Sequence, residues 1–158
     1  MKRLCGDGIM IVVEICHLYV SPGHNFFGHH EREPDQYPTI EVSMIEFVAG
    51  HGVRGDRFFD YKKDYKGQIT FFSLEAFDEL CDALQVQDCS RALVRRNVIT
   101  QDVDLNQLIG QEFEIQGVRF HRNRRMSAVL LDESRDRARR GRISQGSGRL
   151  APADFDGW

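Results

Sequence analysis

Gly52-Val53-Arg54-Gly55-Asp56-Arg57-Phe58 is the stretch on which the fold reading turns. Its two glycines permit a tight turn with positive φ, so Asp56 is expected to cap its own backbone amides while the arginines project outward. Upstream, Ile40, Val42 and Met44 alternate with Glu41, Ser43 and Ile45, the period of a half-buried strand, closed by Gly50-His51-Gly52. Downstream, Gln68 to Phe72 reads as a strand running into a helix over about 73–85. Ser73 is its N-cap and Glu75 sits in the first turn, where a carboxylate meets free N–H groups. Leu74, Phe77, Cys81 and Leu84 share one face of that helix, which makes Cys81 a core residue rather than a nucleophile.

Working outward, Val94 to Thr100 reads as a strand that includes Arg95-Arg96-Asn97. Glu112–Ile115 and Val118–Phe120 read as a hairpin turning at Gln116-Gly117. Toward the N-terminus, Ile9 to Val20 is rich in β-branched residues and predicts a strand buried on both faces for part of its length. A long loop, Ser21 to Pro38, follows it, and loops of this length are commonly functional or disordered. Six or so short strands with one clear helix define an α+β, mainly β, domain.

Four motifs in order resemble the MOSC domain, the C-terminal domain of molybdenum cofactor sulfurases and of small free-standing relatives. They are the V-R-G-D turn, the strand ending in Ser73-Leu74-Glu75, the Arg95-Arg96-Asn97 segment, and Asp104-Leu105-Asn106-Gln107-Leu108-Ile109-Gly110 before the hairpin. The resemblance covers about two-thirds of the chain. It implies a β-barrel of short strands over residues 9–121 and a pocket for molybdenum cofactor (molybdopterin), or sulfane-sulfur handling with a sulfur donor protein as partner. Cofactor-binding residues would be Arg54, Asp56, Arg57, Arg95, Arg96 and Asn97. Guanidinium forks suit phosphate and pterin edges. Alternating strand geometry is expected to turn at most one of Arg95 and Arg96 toward a given pocket. Two alternatives stay open: that Asp56 only orders its turn, and that both arginines are solvated or paired with carboxylates. Pyridoxal phosphate would enter only through the desulfurase domain that accompanies such domains in fused enzymes.

After His121 the resemblance stops. Members of the family carry a cysteine there, often as C-x-P-C, thought to hold a persulfide or to ligate molybdenum. This chain reads Arg122-Asn123-Arg124-Arg125-Met126-Ser127, with no cysteine beyond it. The cations also change: nine arginines and no lysine stand against five carboxylates after His121, where 12 Lys and Arg stand against 19 carboxylates before it. Shifting the window by one base rereads Met126-Ser127 as a cysteine codon and permits C-R-P-C at the family position. Residues 122–158 are therefore expected to be an arginine-rich tail translated out of frame or, alternatively, a divergent disordered tail. Either way the catalytic cysteine is missing and enzymatic activity is uncertain; the second functional class is a non-catalytic module for a small anionic ligand or a protein partner.

The composition narrows the remaining classes. A chain of 158 residues suits one domain with its own core. A formal net charge of −3 gives no footprint for nucleic acid. Glu14 and His17 interrupt the N-terminal apolar run, which is too short to span a bilayer, so a cytoplasmic protein free of membrane is expected. That excludes an integrin-type role for Arg54-Gly55-Asp56. Cys5, Cys16, Cys81 and Cys89 lack zinc-ligand spacing. His24, His29 and His30 share one loop without the fixed spacing of a metal site. Tyr61 and Tyr65 among Lys62, Lys63 and Lys66 read as a solvated linker.

Overall fold

The computed structural model describes residues 3–4, 9–25, 33, 35–63, 65–123, 127–130 and 140–152. Its strands in chain order are β1 (Arg3–Leu4), β2 (Ile9–Val20), β3 (Ile40–Glu41), β4 (Met44–Val48), β5 (Gly52–Val53), β6 (Ile69–Ser73), β7 (Val98–Gln101), β8 (Glu112–Ile115), β9 (Val118–Asn123), β10 (Ser127–Leu130), β11 (Arg140–Ser144) and β12 (Gly146–Pro152). The α-helix α1 spans Leu74–Leu84, and two 3₁₀ turns cover Arg91–Val94 and Leu105–Leu108. The class is α+β, mainly β, as the alternating sequence predicts.

One barrel of short strands is not what forms. The strands divide into a nine-stranded sheet, in the order β1-β2-β12-β8-β9-β10-β6-β7 with β3 on β2, and a three-stranded sheet, β11-β4-β5. β7 also pairs with β2, so the larger sheet bends back onto its longest strand. β2 reaches both neighbours because it is twelve residues long, and its register against β7 shifts between Ile15 and His17. Aromatic rings join the two sheets. Phe47 of β4 meets Phe120 of β9 edge-on at 5.7 Å, and Phe120 touches Phe71 at 5.7 Å and Phe113 at 5.5 Å. Val13, Ile15, Leu18, Ile45, Ile69, Val98, Ile115 and Ile143 complete the core.

Residues 122–158, expected to lie outside the domain, supply β10, β11 and β12. β10 lies between β9 and β6, and β12 lies between β8 and β2. Ile143 is fully buried. These strands occupy the positions that would otherwise be open edges, the arrangement a β-rich core requires.

Three local readings change. The strand expected from Ile40 onward breaks at Val42-Ser43, and the buried face reverses: Ile40 and Met44 are exposed, while Ile45 and Phe47 are buried. On α1 only Phe77 is buried; Cys81 is half-buried and Leu84 is 63% exposed, because the helix touches the sheet over its first turns alone. The Arg95-Arg96-Asn97 segment does not open on a strand. Ser90 caps the 3₁₀ turn Arg91–Val94, Arg95 closes it in the left-handed conformation at φ 51°, and β7 begins only at Val98. The hairpin matches its reading, with Gln116 at φ 52° and Gly117 at φ 79° forming a primed turn between β8 and β9.

Candidate functional site

β6 and β7 run parallel and are connected through α1. Before the first of their ladder partners, Phe71 and Val98, Thr70 and Asn97 exchange side-chain bonds instead. Asn97 Oδ1 accepts from the Thr70 N–H at 3.1 Å and the Thr70 hydroxyl at 2.9 Å, and the Asn97 N–H donates back to Thr70 Oγ1 at 3.1 Å. The Asn97 amide nitrogen donates to the Tyr19 carbonyl at 3.2 Å and to Asp56 Oδ1 at 3.1 Å. A side-chain amide has two donors and two acceptor sites, so that of Asn97 is fully engaged. It pins β7 to β6, β2 and the Gly55 turn.

Asp56 is the other half of this pin. Its Oδ1 accepts from the Ser21 N–H at 3.1 Å, and its Oδ2 accepts from the Phe58 N–H at 3.3 Å. It caps its own turn, as the sequence predicts, and also ties that turn to the end of β2. Its carboxylate is buried, with Arg57 Nη1 at 3.7 Å. Gly52, at φ +110°, comes so close to the next strand that a Cβ there would meet the Gln68 carbonyl at 3.2 Å.

The guanidinium groups of Arg57 and Arg95 lie over this buried pair. Arg57 donates to the Arg95 carbonyl at 3.0 Å and lies 5.1 Å from the Phe58 ring centroid. Arg95 reaches back to the long loop, donating to Ser21 Oγ at 2.8 Å, to the Gly23 carbonyl at 2.9 Å and to the Tyr37 carbonyl at 3.1 Å. Asn25 bonds both backbone groups of Tyr37, so this end of the loop is held on both sides. Burial, then the charge of Arg57, holds Arg95 below the usual guanidinium range, with Asp56 opposing. Arg96 is lowered by the same two causes, burial first. It is half-buried, and its Nε has no hydrogen-bond partner. Arg57 and Arg95 therefore share one buried carboxylate, whereas no acidic group is among the charges that shift Arg96.

An aromatic wall flanks them. Phe58 meets Tyr65 at 5.3 Å and Tyr61 at 5.9 Å, and His24 meets Phe58 edge-on at 4.7 Å. The segment read as a solvated linker thus contributes rings to the cluster. Burial, then Arg57, lowers the His24 pKa. His29 and His30 lie outside the described residues. Gln68 is 2% exposed with both amide atoms unpartnered.

Arg54 stands apart. It pairs with Glu46 at 3.6 Å, stacks over Phe59 at 5.4 Å and lines a separate cavity of about 250 Å³ with Val20, Val42, Met44, Ile45 and Arg142. The structure therefore brings together Asp56, Arg57, Arg95 and Asn97, sets Arg96 beside Arg57, and leaves Arg54 elsewhere. Sequence reading missed Ser21, Thr70 and Tyr37, which lie far along the chain from the groups they bind. The one available signal was the Ser21-Pro22-Gly23 stop after β2.

Among the described residues no activated thiol accompanies the cluster. Cys16, Cys81 and Cys89 are free. Burial, then Glu14, Glu75 and Asp102, pushes the Cys16 thiol up, and it donates weakly to Gln101 Oε1 at 3.6 Å. Among the described residues no group of three or more His, Cys, Asp or Glu could hold a metal ion. No described helix is long and apolar enough to cross a membrane.

The site thus belongs to a mainly β domain with an arginine cluster where β2, the Gly55 turn and β7 meet. The chain is similar in fold to the crystal structure of the YuaD protein from Bacillus subtilis, with a TM-score of 0.65, 15% identity, and coverage of 98% of this chain and 100% of that one. Scans find no matching protein-family description and no matching curated protein.

Proposed function

We propose that the cluster of Arg57, Arg95 and Arg96 binds a phosphate-bearing small molecule, and that this ligand is the molybdenum cofactor, as the MOSC-like motifs imply. The observation that carries this reading is Arg96: a half-buried guanidinium with an unpartnered Nε, beside Arg57, with no acidic group among the charges that shift it. Burying a cation without a partner is costly, and an oxyanion offsets that cost by pairing with the planar fork. The phosphate end of molybdopterin fits such donors, and the Phe58, Tyr61 and Tyr65 rings offer faces for its heterocycle. The molybdenum end has no matching thiolate among the described residues. The chain is accordingly a binding protein that holds the cofactor and does not transfer sulfur. Asp56 and Asn97 position the cluster through their mutual bond and contact no ligand.

Fluorescence titration with isolated molybdopterin, with inorganic pyrophosphate as competitor, tests this. Binding of molybdopterin that pyrophosphate displaces supports both levels of the reading. Binding of pyrophosphate alone retains the anion site and removes the cofactor. No binding of either removes the proposal. Resequencing the DNA across the codons for Phe120 to Met126 tests the out-of-frame reading of the following segment; an extra base there restores the C-x-P-C sequence.

A further inference from the structure

The chain changes sheets at Val42-Ser43. β3 stays on β2 through the Tyr19–Glu41 and Val20–Ile40 pairs, and the Val42 N–H still donates to the Leu18 carbonyl at 2.9 Å. From Met44 onward β4 pairs with β11 and β5 instead. The cavity of about 250 Å³ lies where the two sheets part: Val20 and Val42 line it from the β2 side, Met44 and Ile45 from β4. Met44 is 50% exposed beside it, a flexible thioether able to fold over an apolar guest. The charges of the cavity sit on the opposite wall. Arg142 stands directly across from Glu46 in the β4–β11 ladder, so both side chains leave one face of the small sheet. Arg54 joins them from the turn after β5: its N–H donates to the Glu46 carbonyl at 2.9 Å, and Phe59 holds its guanidinium in place. The Arg54 Nε to Glu46 Oε1 distance of 3.6 Å is too long for a hydrogen bond, and among the described residues Arg142 forms no ion pair. Two guanidinium charges therefore stand against one carboxylate beside an apolar hollow.

We propose that this cavity is a second ligand site and that it takes a medium-chain monocarboxylate. An apolar cavity of about 150 Å³ holds benzene, so one of about 250 Å³ holds roughly ten non-hydrogen atoms, the size of an eight-carbon fatty acid. The carboxylate pairs with the forks of Arg142 and Arg54, and the hydrocarbon lies on Val20, Val42 and Ile45 beneath the Met44 thioether. One negative charge balances the surplus guanidinium left by Glu46. A dianionic phosphate would overcharge the wall, and an uncharged chain would leave the surplus unanswered. This site is separate from the cluster of Arg57, Arg95 and Arg96, and the inference is independent of which ligand that cluster takes.

Isothermal titration of the full chain with butanoate, hexanoate, octanoate and octan-1-ol, repeated in excess inorganic pyrophosphate, tests this. Octanoate is expected to saturate one site per chain, with affinity rising about two- to fourfold for each added CH₂ from butanoate upward. Octan-1-ol is expected to bind roughly tenfold or more weakly, since it lacks the charge-assisted contact. Arg142→Gln should weaken octanoate roughly tenfold and leave octan-1-ol unchanged, whereas Met44→Trp, which fills the hollow, should weaken both. Both side chains are exposed, so neither substitution empties the core, and far-ultraviolet circular dichroism checks the fold of each variant. The chain-length series and the octan-1-ol comparison use the wild type alone and decide the matter even where a variant fails to fold. Absence of saturable octanoate binding, equal affinity for butanoate and octanoate, or equal affinity for octanoate and octan-1-ol overturns the proposal. Displacement of octanoate by pyrophosphate also overturns it, because it puts the carboxylate on the other arginine cluster.

Discussion

Replacing Asn97 by alanine tests the physical core of the candidate site. The side chain makes four bonds: from the Thr70 N–H and hydroxyl to its oxygen, and from its nitrogen to the Tyr19 carbonyl and Asp56 Oδ1. Truncation leaves the Thr70 N–H without that acceptor inside the protein, at about 1–3 kcal/mol for an orphaned buried group. It also removes a hydrogen bond to a buried carboxylate, worth about 1.5–3 kcal/mol. The two losses share one cavity and do not add in full, so the expected total is roughly 2–5 kcal/mol. For a domain of this size each kcal/mol lowers Tm by about 2–4 °C, which puts the drop at roughly 4–20 °C. Urea unfolding followed by far-ultraviolet circular dichroism, with the slope compared between the two proteins, measures it. A loss under about 1 kcal/mol at unchanged slope would refute the claim that Asn97 is the pin joining β2, β6, β7 and the Gly55 turn. N97D is expected to be at least as damaging, since it sets a second carboxylate against Asp56 and removes the donor.

Gln68→Leu is expected to raise stability by about 1–2 kcal/mol, because it removes a buried amide with no partner; a loss in urea unfolding would show that the amide is satisfied in solution. Glu75 accepts from the Asp102 N–H and the Ser73 hydroxyl, both at 2.8 Å. Burial alone would raise its pKa, but the hydrogen bonds from Asp102, from its own N–H and from Ser73 outweigh it and the pKa is lowered. A depressed carboxylate pKa contributes stability above the unfolded value, lost as pH falls, so Glu75→Gln should be less stable than wild type at neutral pH. The two curves should run parallel above about pH 4.3 and converge only as pH falls further, through the depressed folded pKa; curves that stay parallel throughout that acidic range would contradict the assignment. His24 has a lowered pKa, so it too contributes stability that is present above about pH 6.5 and lost as pH falls. His24→Phe should flatten the stability profile on the acidic side, and an unchanged profile would contradict it.

Local features were legible where local chemistry decides them. Ser73 accepts from the Ala76 N–H at 3.0 Å as its position before the helix predicts, and Gln116-Gly117 makes the hairpin turn. The β-branched run Ile9–Val20 is β2 residue for residue. What was not legible depends on distant partners. The arginines had been read onto a strand because Val94 to Thr100 is rich in β-formers, yet Ser90 caps a 3₁₀ turn first and Arg95 is driven into the left-handed region. The phase of the Ile40 strand reverses because β4 takes β11 as its partner, and β11 comes from a segment whose arginine content gave no strand signal. Residues of the arginine cluster were identifiable by type, but not which of them are already satisfied. That depends on Ser21, Tyr19 and Tyr37, brought in by pairings of β2 that no sequence period announces.

The most direct measurement is isothermal titration of the full chain and of Arg96→Gln with inorganic pyrophosphate, each at low and at physiological salt. The account predicts that the wild type binds more tightly at low salt. It predicts that the variant folds normally but binds roughly ten- to hundredfold more weakly, the loss of one charge-assisted contact of about 1.5–3 kcal/mol. Equal binding by both proteins, or none by the wild type, would contradict it.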